Sequence, residues 1–92
     1  MSQEHSLFSM DYRPQLNRGL CYRDIDNHRG AIGDFAGALE TLETRMGPFP
    51  GKEKVVRSIH MYRSSAFSSL GRKDDAEEDY QVFLRARKGE KK

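Results

Sequence analysis

The chain carries an internal repeat, and that repeat limits what it can fold into. Gly19, Tyr22, Ala31, Phe35 and Leu39 recur as Ser64, Phe67, Ala76, Tyr80 and Leu84, every pair separated by forty-five residues. Between the copies lies Gly47-Pro48-Phe49-Pro50-Gly51, the only cluster of strong helix breakers. Proline at two of its five positions excludes a helix through it. The sequence therefore reads as two copies of one supersecondary unit joined by a loop, each copy too small to bury its apolar face alone.

Hydrophobic spacing says what each unit contains. Ala31, Ile32, Phe35, Ala38, Leu39, Leu42 and Met46 recur at steps of three and four, as do Val55, Val56, Ile59, Tyr62, Ala66, Phe67 and Leu70. Both series are amphipathic helix faces. Asp24-Ile25-Asp26-Asn27 has the composition of a turn and helix cap, and Gly71 stands where a left-handed C-cap residue is expected. The run Asp74, Asp75, Glu77, Glu78 and Asp79 opens the last helix and Arg85, Arg87 and Lys88 close it, matching the two ends of a helix dipole. Helices are predicted over 12–25, 28–46, 52–70 and 73–88, with no strand. Unit one covers 12–46, the loop 47–51 and unit two 52–88; residues 1–11 and the basic tail 89–92 are expected to be flexible. The predicted core comprises Leu20, Tyr22, Ile25, Ala31, Ile32, Phe35, Leu39, Leu42, Ile59, Ala66, Phe67, Leu70, Ala76 and Tyr80.

The repeated residue types have a packing reason. A small residue in the first helix (Gly19, Ser64) and another in the second (Ala31, Ala76) let two antiparallel helices approach, and an aromatic from each fills the space beside the crossing. At these positions the chain resembles the tetratricopeptide repeat, with Gly-x-x-Tyr at Gly19 to Tyr22 and Ala-x-x-x-Phe at Ala31 to Phe35. Unit two departs from the pattern: Ser64 replaces glycine and Phe83 replaces the later alanine that Ala38 provides in unit one. The step of forty-five also exceeds the family's usual thirty-four, the surplus lying around residues 47–51. The resemblance implies an all-α fold of two stacked antiparallel hairpins, four helices forming a fragment of an α-α superhelix.

Composition narrows the function classes. At 92 residues the chain is one domain with a thin core. Sixteen basic and fourteen acidic side chains give a net charge of +2, too balanced for a dedicated nucleic-acid domain, although Arg57, Arg63, Arg72 and the basic tail leave a weak nucleic-acid binder as an alternative. Cys21 is the single cysteine, so no internal disulfide forms, and it is expected to be a small buried thiol. Nothing in residues 1–10 reads as a signal or membrane span, and the cytoplasm is the expected location. His5, His28 and His60 lack local metal-ligand spacing, and no phosphate loop or nucleophile elbow occurs, so neither an enzyme nor a cofactor is expected.

The resemblance implies a scaffold that binds another protein, taking a peptide or amphipathic helix on its concave face. The resemblance places the groove at Arg13, Leu16, Asn17, Leu20, Arg23 and Asp24 in unit one, and at Ser58, Met61, Tyr62, Ser65, Ser68 and Ser69 in unit two. Leu16, Leu20 and Tyr62 fit equally well as core residues, and the serines as spacers for close packing. Relatives that grip a terminal carboxylate do so with a lysine, asparagine and arginine clamp; Leu16, Leu20 and Tyr62 occupy those places here, so an apolar ligand face is implied. Two units are few for such an architecture, and Val82 and Phe83 lie on a terminal helix with no third unit to cover them. A homodimer, or a self-assembling or capping role, is therefore the second expectation.

Overall fold

The computed structural model describes residues 11–90. Of the segments expected to be flexible, 1–11 and 89–92, residues 1–10 and 91–92 lie outside the described residues, whereas Gly89 and Glu90 continue the last helix. Four helices follow one another: α1 Arg13–Asp24, α2 His28–Thr44, α3 Lys52–Ser69 and α4 Lys73–Glu90, with no strand among the described residues. Each boundary falls within two residues of its sequence expectation, and α4 runs through Gly89.

Each helix packs on the next. Within each pair the partners run in opposite directions. Gln15, Arg18 and Tyr22 on α1 meet Thr41, Asp34 and Gly30 on α2 in descending order. Arg57, His60 and Ser64 on α3 likewise meet Phe83, Asp79 and Ala76 on α4.

The two turns are built alike. Asp26 adopts a left-handed φ of 63°, and the Asn27 and Asp26 amides donate to the carbonyls of Tyr22 and Arg23. Forty-five residues on, Gly71 has φ 79°, and the Arg72 and Gly71 amides donate to Phe67 and Ser68. This doubly bonded left-handed cap satisfies carbonyls that a helix end leaves bare. Asn27 also caps α2, its side-chain oxygen accepting from the Gly30 amide.

The core is centred on α2, where Ala31, Asp34, Phe35, Ala38, Leu39, Thr41 and Leu42 are all buried. Ile59 of α3 completes this cluster, with Val55, Val56 and Tyr62 packed against it. The long loop is also tied down: Phe49 stacks on Tyr12 at the start of α1, and Lys52 Nζ donates to the Met46 carbonyl. Residues in excess of a short repeat thus extend the hydrophobic cluster.

Three core expectations need correction. Ile25 is 71% exposed because it lies past the last turn of α1, outside the helical stripe. Tyr80 is 44% exposed although its counterpart Phe35 is fully buried, because α3 covers Phe35 and no such helix among the described residues covers Tyr80. Cys21 is exposed, since α1 meets α2 through Gln15, Arg18, Gly19 and Tyr22, a stripe that bypasses it. Leu20, Tyr22, Ile32, Phe67 and Leu70 are half-buried.

Gly19 is buried and has no room for a side chain. A Cβ there would lie 2.7 Å from Cε1 of Phe35, an atom of a ring locked in the core. Gly19→Ala is therefore expected to overpack the α1/α2 crossing and to cost about 1–3 kcal/mol in urea denaturation. Ala76→Val, at a site open on one side, should cost less than Ala31→Val.

Candidate protein-binding groove

The second hairpin carries an open groove of about 600 Å³ between α3 and the first turns of α4. Met61, Ser65, Ser68 and Ser69 come from one side, Lys73, Glu77 and Tyr80 from the other, with Ser64 and Ala76 also lining it. Met61 and Tyr80 are its large apolar exposures, at 38% and 44%. Ser64 is not a free recognition group: its hydroxyl donates to the Ala76 carbonyl at 2.8 Å and ties the helices together.

Sequence reasoning put twelve residues in one concave site, and the structure brings four of them, Met61, Ser65, Ser68 and Ser69, into this groove. The first-unit residues are engaged otherwise. Leu16 and Leu20 are half-buried against the core cluster. The Arg13 guanidinium forks onto Asp11, and its amide donates to the same carboxylate, which lies below the ordinary carboxylate range as a result. Arg23 stands over the Tyr62 ring at 5.4 Å, and Tyr62 packs on Phe35 at 5.8 Å. Asn17 and Asp24 are exposed and Ser58 is half-buried, none lining this groove.

Two ion pairs hold the hairpin walls. The Arg18 guanidinium forks onto the buried Asp34 with contacts of 2.9 and 2.8 Å, and Arg63 forks onto the buried Asp79 with two contacts of 2.8 Å. Arg18 and Arg63, like Asp34 and Asp79, are forty-five residues apart, so both forks belong to the repeat. The signal was available in the offset; an acidic run at a helix start reads as capping, which hid it. The second pair is deeper and has a third member, His60, whose Nδ1 lies 2.9 Å from the Asp79 carboxylate. Burial pushes the Asp79 carboxyl up, but hydrogen bonds from His60 and Arg63 outweigh it, and the group titrates below the ordinary carboxylate range. Asp79 in turn raises Arg63.

Among the described residues, no three His, Cys, Asp or Glu side chains gather as a metal would need, and no helix is long and apolar enough to cross a membrane. Set against known proteins, the chain matches no family model, no curated protein and no solved structure.

The first fork predicts a mutational asymmetry from the unequal exposure of its partners. The Arg18 side chain is 65% exposed and Asp34 only 7%. Arg18→Ala strands a buried carboxylate and should cost about 2–3 kcal/mol, whereas Asp34→Ala returns the arginine to water and should cost about 1 kcal/mol or less. Asp79 has the lowered folded value, so its contribution is present above the unfolded carboxylate pKa of about 4 and is lost as pH falls through the folded one. The urea midpoint should drop on acidification below about pH 4, and Asp79→Asn should flatten that drop.

Proposed function

We propose that the protein is a non-enzymatic interaction module, a pair of tetratricopeptide-like hairpins that binds a helical segment of a partner protein. The observation that carries this reading is the groove of the second hairpin, where Met61 and Tyr80 stand exposed beside a row of small hydroxyl residues. Large apolar side chains flanked by small ones form the kind of surface onto which an amphipathic helix lays its apolar face. Among the described residues, no cationic clamp for a chain-terminal carboxylate lines the groove, and Lys73 is the one cation there. An internal segment is therefore the proposed ligand. The lone cysteine needs no oxidising compartment, and the proposed setting is cytoplasmic.

Self-association was expected from uncovered Val82 and Phe83. Both are half-buried; Phe83 stacks on Tyr80 at 5.7 Å and has Arg57 over its ring. The motive for a homodimer is correspondingly smaller, and a partner's helix is the preferred occupant.

Met61→Glu is the clean test, because the residue is exposed and its replacement should change stability by about 0.5 kcal/mol or less. Leu20→Glu, by contrast, would disturb a half-buried residue packed on the core. Capture from the native cell by the wild-type chain should yield a specific partner that Met61→Glu loses with helix content unchanged. Equal recovery by both proteins would refute the groove as the binding site.

A further inference from the structure

The repeat itself specifies what kind of helix the groove accepts, an inference that rests on the interaction-module reading. A shift of forty-five residues carries Met61, Ser64, Ser65, Ser68, Ala76 and Tyr80 back onto Leu16, Gly19, Leu20, Arg23, Ala31 and Phe35. In the first hairpin that face is occupied by α3. Tyr62 of α3 packs on Phe35 and lies under Arg23, while Ile59 is fully buried in the cluster against which Leu16 and Leu20 pack. Covered, Phe35 is 0% exposed; uncovered, Tyr80 is 44% exposed. The same surface therefore exists twice, once filled and once open.

We propose that the open copy takes a partner helix built like α3: branched aliphatics at two positions four apart, as at Val55 and Ile59, and an aromatic three residues further on, as at Tyr62. The aromatic would seat on Tyr80 as Tyr62 seats on Phe35, and the aliphatics would run along α4 beyond it. A second copy of this chain stacked end to end supplies a poor match. Its helix in the equivalent place is α1, which offers Pro14 for Ile59, Asn17 for Tyr62 and Cys21 for Ala66. The occupant thus comes from a different chain.

The groove differs from its filled counterpart in a way that defines the partner further. Ser64 occupies the room that Gly19 leaves, Ser65 and Ser68 replace Leu20 and Arg23, and Glu77 replaces Ile32. The apolar anchors are reduced to Met61, Ala76 and Tyr80, so the aromatic of the incoming helix carries a larger share of the contact than Tyr62 does. Replacing it should be felt more sharply than replacing any one aliphatic.

The probe is a fluorescein-labelled peptide with the sequence of α3, Lys52–Ser69, added to the full chain and followed by anisotropy. Saturable binding is expected, weakened at least tenfold when the peptide's tyrosine is replaced by serine and by Tyr80→Ala in the chain. A peptide of α1, residues 13–24, should bind at least tenfold more weakly than the α3 peptide. Sensitivity to Tyr80→Ala excludes simple displacement of the resident α3, because Tyr80 lies outside the face that α3 covers. Equal affinity of the tyrosine and serine peptides overturns the inference, as does failure of the α3 peptide to bind. Self-association of the chain alone, abolished by Tyr80→Ala in sedimentation, would give the groove to a second copy and overturn it as well. The interaction-module reading fails by a separate result, unchanged capture of the native partner by Met61→Glu.

Discussion

A carboxylate buried on the second helix of each hairpin sets the terms on which the rest of the structure is assembled. Asp34 and Asp79 are shielded from water, and an ionised group in that position is tolerated only with a charged, hydrogen-bonding partner. Arginine answers this with a planar fork that meets both oxygens, which fixes distance and rotation between the helices as well as neutralising charge. Once Arg18 faces Asp34, Gly19 must face Phe35, and the close approach at that crossing follows. In the second hairpin the same register brings Ser64 to Ala76, where the hydroxyl donates to a carbonyl. The ion pairs thus act less as a source of net stability than as a constraint on which packing is allowed.

The divergence of the two hairpins follows from what covers each. Phe35 enters the core because Gly19 leaves space for its ring and α3 closes over it. With Ser64 in place of that glycine, and no covering helix among the described residues, the corresponding ring of Tyr80 turns to the surface and stacks on Phe83. Tyrosine suits such a place better than phenylalanine, since its hydroxyl stays in water while the ring body packs. His60 adds a third ligand to Asp79 where Gln15, its counterpart, bonds Thr41 instead. One plan therefore serves two environments by changing a handful of side chains.

The helices and their boundaries were legible in the sequence because apolar spacing, breakers and caps all pointed to the same divisions. Gly47 to Gly51 separated the halves without ambiguity, and Ala31, Phe35, Leu39, Leu42 and Ile59 lie in the core as their spacing requires. The burial of Tyr80 was misjudged for a physical reason: periodicity tells which face of a helix is apolar, but not whether another element exists to cover it. Cys21 failed differently, through a residue type that is usually buried placed off the contact stripe. The forks were hidden because a lone aspartate within an acidic run, or beside a glycine, has no local signature of burial. Of the residues lining the proposed groove, Met61, Ser65, Ser68 and Ser69 on α3 were named through the family resemblance, while Lys73, Glu77 and Tyr80 on α4 were missed because a groove between helices needs both walls.

The chemistry of the open face fits a surface that no helix among the described residues covers. A stacking surface left as apolar as the first hairpin's would expose a leucine where Ser65 now stands and an isoleucine where Glu77 stands, a larger patch prone to association. Replacing them with a serine and a charge lets the face remain in water with Met61, Ala76 and Tyr80 as its apolar contacts. The same replacements reduce the apolar area that an incoming helix can remove from water, and with it the affinity of any complex formed there. Solubility without a partner and tight binding of one pull on the same residues in opposite directions. A face with two large anchors among hydroxyls suits a complex that forms and dissociates, in contrast to the permanent union of α3 with the first hairpin.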